Sequence, residues 1–217
     1  MLKLIIFDLD DTLIRSNIDY MVIRRRIAEL FDSPPSEREL SETPILLVLE
    51  NLGKLHPEKS EEGKRRIYET EERAAETATM IDGAHTIPDL LERYQVYFAV
   101  LTNNSQTGVD IYLNNPELGY LRRFKIFTRD DFSQAKPSPE GIITIISHFA
   151  NHYDKKITNT NTVYIGDSYI DALAACSADV RFIWFHSRKI ASDLFPSPPT
   201  ATLTKWNQLE SIMMSLG

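Results

Sequence analysis

The chain has 217 residues, room for one generous domain or for a domain with a smaller piece attached. With 42% hydrophobic and 25% charged residues it carries enough apolar material for a real core, which excludes wholesale disorder. A net charge of −7 argues against nucleic acid as the main partner, and the single cysteine, Cys176, excludes an intrachain disulfide framework or a multi-cysteine zinc site.

Residues 2–7 form a short, continuous apolar run, the pattern of a strand buried on both faces of a parallel sheet. The run is too short for a signal-peptide core, and no apolar run approaches the roughly 18 residues of a membrane span. A cytoplasmic location without a membrane partner is therefore expected. Residues 18–31 predict a helix with Ile18, Met21, Val22, Ile27 and Leu30 as its apolar positions, and the Arg24-Arg25-Arg26 triplet on it is read as largely solvated. Ser36 and Glu39 resemble a capping box, although Pro34-Pro35 and Thr43-Pro44 leave little room for its helix.

Thr43 and Pro44 supply an N-cap and first-turn proline to a helix over 45–52, with Gly53 as its stop. Residues 58–80 read as a third helix, started or interrupted near Gly63. Its Glu61-Glu62 and Lys64-Arg65-Arg66 runs make a solvated face. Further strands are expected at 96–101, 124–127, 162–165 and 181–185, with helix-like stretches between most of them. His148 and His152 are spaced like metal ligands, but they sit in an ordinary amphipathic helix with Ile142, Ile145, Ile146 and Phe149, and the zinc reading is rejected. Residues 195–200, rich in proline, read as a surface linker. Strand–helix alternation implies an α/β fold with a parallel sheet, into which a helical block over 15–80 is inserted after the first strand.

Chemistry concentrates at the strand ends. After the first strand stands Asp8-Leu9-Asp10-Asp11-Thr12, and alternation along an extended chain leans Asp8 and Asp10 to the same side. Two carboxylates brought together raise a pKa or recruit a cation. Thr102-Asn103-Asn104-Ser105 follows the strand at 96–101 and offers a hydroxyl and backbone N–H groups to an oxyanion. Lys136 lies just before the Ser138-Pro139 start of the helix that carries Ile142 and Phe149. Gly166-Asp167-Ser168-Tyr169-Ile170-Asp171 follows the strand at 162–165, with Asp171 able to face the same way as Asp167 across a helical turn.

These motifs, in this order and at strand tips where open α/β sheets bind ligands, closely resemble the haloacid dehalogenase-like hydrolase superfamily along the whole chain. In layout the chain is most similar to its phosphoglycolate phosphatase-like members with a small α-helical cap. The resemblance implies an α/β, Rossmann-like doubly wound parallel sheet, with a catalytic core over 1–14 and 81–217 and an all-α cap over 15–80. It also implies a phosphatase that hydrolyses a small phosphate monoester through an aspartyl-phosphate. In that scheme Asp8 is the nucleophile, Asp10 the general acid and base, and Thr12 a residue that holds Asp10 and borders the substrate.

Thr102 and the backbone amide of Asn103 would bind the phosphoryl oxygens, and Lys136 would stabilise charge on Asp8 and phosphate. An anionic substrate beside an acid cluster requires a cation, and Mg²⁺ fits. Its implied ligands are the side chains of Asp8 and Asp167 and the backbone carbonyl of Asp10, with Asp171 acting directly or through another ligand. Asp10 separates the chain from metal-free dehalogenases, and Thr12 leans away from the superfamily's phosphosugar mutases. A mutase and a non-catalytic phosphate-binding or regulatory module stand as the alternatives. The expected partner is a small phosphorylated metabolite. Residues 14–20 and the cap, which choose the leaving group in such proteins, do not spell one out.

Overall fold

A computed structural model describes residues 1–186 and 195–216. In chain order the first half contains β1 (Leu4–Phe7), β2 (Ile14–Arg15), α1 (Tyr20–Ala28), α2 (Glu37–Glu42), α3 (Ile45–Leu55), α4 (Ser60–Glu76), β3 (Thr79–Met80), α5 (Ile87–Arg93) and β4 (Tyr97–Leu101). The second half adds α6 (Gln106–Asn114), β5 (Lys125–Phe127), α7 (Glu140–His152), β6 (Thr162–Gly166), α8 (Tyr169–Ser177), β7 (Arg181–Phe185), β8 (Ala201–Leu203) and α9 (Leu209–Ser215).

Six strands form one sheet in the order β5-β4-β1-β6-β7-β8, every neighbouring pair parallel. The chain builds outward from β1 through β4 to β5, then returns to the other side of β1 to lay down β6, β7 and β8. This is the Rossmann-like, doubly wound arrangement, and the order reverses beside β1, where such sheets hold ligands. Every residue of β1 and β6 is buried. Leu4 and Ile6 of β1, Ala99 and Leu101 of β4 and Tyr164 of β6 pack with Ile142, Ile145 and Phe149 of α7 and Ala172 and Ala175 of α8. Strands covered on both faces need apolar side chains at every position, which is why they stand out in the sequence.

The chain divides into two compact units, one comprising Met1–Arg15, Thr79–Gln106 and Leu113–Gly217, the other Ser16–Ala78 with Thr107–Tyr112. Helices α1 to α4 of the second unit enclose a core that includes Ile23, Ile27, Leu40, Val48, Leu52 and Ile67. Helix α1 begins later than expected because the Asp19 carboxylate caps it, accepting from the N–H groups of Met21 (3.0 Å) and Val22 (3.1 Å). This start turns Ile23, Ile27 and Ala28 inward and leaves Val22, an expected core position, 42% exposed.

The capping box at Ser36 and Glu39 does start a helix, the short α2. Thr43 closes α2, its hydroxyl donating to the Glu39 carbonyl at 2.6 Å, and so does not cap α3. Gly53 lies inside α3 and is not its stop. Gly63 lies inside α4, where close approach to α3 requires it: a Cβ there would come within 2.7 Å of Leu49 and 2.9 Å of Leu52.

The end of the expected third helix is instead a strand. Thr79 and Met80 pair antiparallel with Arg15 and Ile14, so Arg15, Thr79 and Met80 group with the first unit although the insert was expected over 15–80. Phe195 is no linker residue: it is buried, with ring contacts to Phe182 (5.8 Å) and Trp184 (5.0 Å). Among the described residues no helix is long and apolar enough to cross a membrane.

Candidate active site

The tip of β1 is held by its neighbour, the Asp8 N–H donating to the Ile165 carbonyl of β6 at 2.8 Å. The chain then turns sharply: the N–H groups of Leu13 and Ile14 both reach back to the Leu9 carbonyl, and Asp11 takes φ 55°, a left-handed conformation that aspartate tolerates. This turn buries Asp8, Asp10, Asp11 and Thr12 together. Carboxylates are rarely so secluded without a partner.

For Asp8 the partner is Lys136, whose ammonium donates to Asp8 Oδ1 at 2.5 Å and to Asp171 Oδ1 at 2.8 Å. The same Nζ lies 3.1 Å from the Leu101 carbonyl at the end of β4 and 2.9 Å from the Tyr164 hydroxyl of β6. Asn103 fixes the backbone that carries this lysine, its amide donating to the Lys136 carbonyl and accepting from the Lys136 N–H, both at 2.9 Å.

Asp171 belongs to the capping box of α8. Its Oδ2 accepts from the N–H and hydroxyl of Ser168, while Oδ1 accepts from Lys136 and from the Tyr164 hydroxyl at 3.0 Å. Helix α8 is therefore capped by Ser168 rather than by Asp167. Asp8, Asp167 and Asp171 each place a carboxylate oxygen within 4.8 Å of the others, the only such grouping among the described residues. Burial, and then the nearby charge of Asp171, push the Asp8 carboxyl up to about 8 against the opposing pull of Lys136. The flanking carboxylates hold the Lys136 ammonium well above its ordinary value, in spite of its burial, and so keep it charged.

The remaining expected residues line the same strand tips. Asp10 Oδ2 accepts from the Asn104 side-chain amide at 2.6 Å. Thr102 is buried, and its hydroxyl accepts from the Asn104 N–H at 3.0 Å. Thr12, expected to hold Asp10, instead donates its hydroxyl to Asp8 Oδ2 at 3.4 Å, because the turn folds it back over the strand end. Asn104, Tyr164 and Ser168 are members of the site that sequence reasoning missed. Arg129 is another: it braces the loop after β4 through the carbonyls of Asn103 (2.8 Å, side chain) and Asn104 (3.1 Å, backbone). Tyr164 alone left a readable signal, a hydroxyl inside a strand buried on both faces.

The haloacid dehalogenase-like hydrolase family model matches residues 5–185, which contain the whole of this site. The chain belongs to the haloacid dehalogenase-like hydrolases. Solved structures share its fold along nearly the whole length. A hydrolase from Pseudomonas syringae is 19% identical with a TM-score of 0.78, covering 99% of each chain. A predicted phosphoglycolate phosphatase from Haemophilus somnus is 17% identical with a TM-score of 0.67, covering 98% of each chain. A haloacid dehalogenase-family hydrolase from Deinococcus radiodurans, with bound phosphate and sodium, is 18% identical with a TM-score of 0.66, covering 100% of this chain and 96% of that one. No curated protein matches the chain.

The donor set of this family member suits a hard cation. Three buried acids, Asp8, Asp167 and Asp171, gather at one point and two of them share the single ammonium of Lys136, so the cluster holds more acidic than basic groups, and its ligand atoms are oxygens.

Proposed function

We propose that this chain is a Mg²⁺-dependent phosphatase that hydrolyses a small phosphate monoester through an aspartyl-phosphate on Asp8. The observation that carries the reading is the buried Asp8–Lys136 contact, set among Asp167 and Asp171 with Asp10 two residues further along the same turn. A carboxylate at a strand tip, beside a fixed positive charge and a second acid, is equipped for nucleophilic attack on phosphorus.

In this reading Asp8 attacks the phosphorus and the leaving alkoxide takes a proton from Asp10. Asp10 then removes a proton from the water that opens the acyl phosphate. Asn104 orients Asp10 for both transfers. Lys136 offsets the charge of Asp8 and of the phosphoryl oxygens, and Thr102 with the N–H of Asn103 receives those oxygens. Asp8 and Asp167, with the Asp10 carbonyl, would hold Mg²⁺, which when bound neutralises the substrate's phosphate charge. Asp171, whose carboxylate oxygens are both engaged by protein donors, acts by holding Lys136. The acid at Asp10 favours phosphoryl over haloacid chemistry.

The test is inorganic phosphate release from a generic aryl phosphate with Mg²⁺, followed by a screen of phosphorylated metabolites. Activity that EDTA abolishes and Mg²⁺ restores supports the proposal. EDTA-resistant activity contradicts the metal's part, and a phosphorylated isomer formed with little free phosphate indicates a mutase. No turnover of any compound points to a regulatory module.

A further inference from the structure

Tyr164 sits in the middle of β6, wholly buried, in register with Ile6 of β1 and Phe182 of β7. Phenylalanine would fill the same space, so the hydroxyl is the part of this residue that needs an account. It lies 2.9 Å from Lys136 Nζ, 3.0 Å from Asp171 Oδ1 and 3.4 Å from the Leu101 carbonyl.

An ammonium has three protons, whereas Lys136 Nζ has oxygen neighbours at 2.5 Å (Asp8), 2.8 Å (Asp171), 2.9 Å (Tyr164) and 3.1 Å (Leu101). The competition is settled by a group that both accepts and donates. Lys136 donates hydrogen bonds to Asp8, Asp171 and Tyr164, its nearest neighbours, and the Tyr164 hydroxyl in turn donates to Asp171 Oδ1. Burial and the charge of Asp171 hold the phenol well above its ordinary value, so the hydroxyl proton stays in place.

We infer that Tyr164 is a positioning residue, whose hydroxyl holds the Lys136 ammonium between Asp8 and Asp171. Its effect on turnover rests on the phosphatase reading; its effect on the lysine does not. Without the hydroxyl, the third proton of Lys136 turns to the Leu101 carbonyl and draws the charge away from the line between the carboxylates. A misplacement of this kind lowers kcat by roughly tenfold to a hundredfold and, since Tyr164 is not placed against the substrate, leaves KM within about twofold.

The experiment compares wild type with Tyr164→Phe in two measurements. One is steady-state turnover of an aryl phosphate at saturating Mg²⁺. The other is the ¹⁵Nζ ammonium resonance of Lys136 in metal-free protein, which an ordered, buried lysine shows as a slowly exchanging signal. Loss of kcat at nearly constant KM, together with a broadened or missing lysine signal, supports the assignment. A kcat within twofold of wild type, or an unchanged lysine resonance, overturns it. If the wild type releases no phosphate from any compound, the phosphatase reading fails while the lysine resonance still decides the role of Tyr164. Should the variant not fold, cross-relaxation between the Lys136 ammonium and the Tyr164 hydroxyl in wild type decides instead, and its absence overturns the inference.

Discussion

Gly166 lies directly beneath the carboxylate of Asp171: a Cβ added at Gly166 would stand 2.6 Å from Asp171 Cγ and 2.7 Å from its Oδ2. The last residue of β6 therefore has to be glycine for α8 to fold its acid back over the strand and reach Lys136. Gly166→Ala forces the carboxylate aside. The expected cost is about 1–3 kcal/mol, as for other overpacked sites, with most of the activity lost. Urea unfolding and phosphate release measure the two effects; a variant normal in both contradicts the packing account.

Lys136 is the positive charge set between two buried carboxylates, so its removal should be felt by the fold as well as by catalysis. At neutral pH Lys136→Met leaves the buried Asp171 carboxylate without its counter-charge, and breaking such a buried pair costs about 3–5 kcal/mol. Denaturant unfolding of the metal-free variant checks this. A loss below about 1 kcal/mol, the size of a surface pair, contradicts it.

The raised pKa of Asp8 makes a statement about pH. An acid whose pKa is higher in the folded chain than its ordinary 3.8 favours folding while protonated. That contribution is complete below about pH 4 and is lost as the pH rises to about 8. In EDTA, thermal stability should therefore fall across this window through Asp8, and Asp8→Asn, which cannot ionise, should show a flatter profile. Calorimetry of both proteins over pH 4–9 tests the sign; parallel profiles contradict it.

Asn104 donates to Asp10 at 2.6 Å and is expected to matter only through that contact. Asn104→Leu keeps the side-chain volume and removes the donor, leaving Asp10 poorly oriented for proton transfer. The expected outcome is a fall in kcat of roughly a hundredfold with KM nearly unchanged, the size that general acid–base catalysis supplies. Unchanged kcat contradicts the assignment of Asn104.

The sequence made the centre of the sheet legible because β1, β4, β6 and β7 are nearly all buried and so spell continuous apolar runs. It concealed β8, which has three residues and only Leu203 buried, and the β2–β3 ladder, whose strands have two residues each. Neither is long enough to show a period. Gly53 and Gly63 misled for one reason: glycine is a helix stop by local propensity, whereas both lie within helices, and at Gly63 tertiary packing of α4 on α3 overrides the propensity. At the strand tips, acids and the lysine were visible as residue types at telling positions. Their orienting partners were not, because Asn104 and Ser168 look the same in a turn or cap as in a site, and Asn103 was expected to act through its backbone amide rather than through the side chain that holds Lys136. The distances that join them to Lys136, Asp10 and Asp171 exist only in the fold.

The central claim, that Asp8 takes up the phosphoryl group, is tested most directly by phosphate release in the presence of Mg²⁺ from wild type and from Asp8→Asn, with circular dichroism to confirm that both are folded. The account predicts turnover by wild type and none detectable by a well-folded Asp8→Asn. Substantial phosphate release by that variant would contradict it.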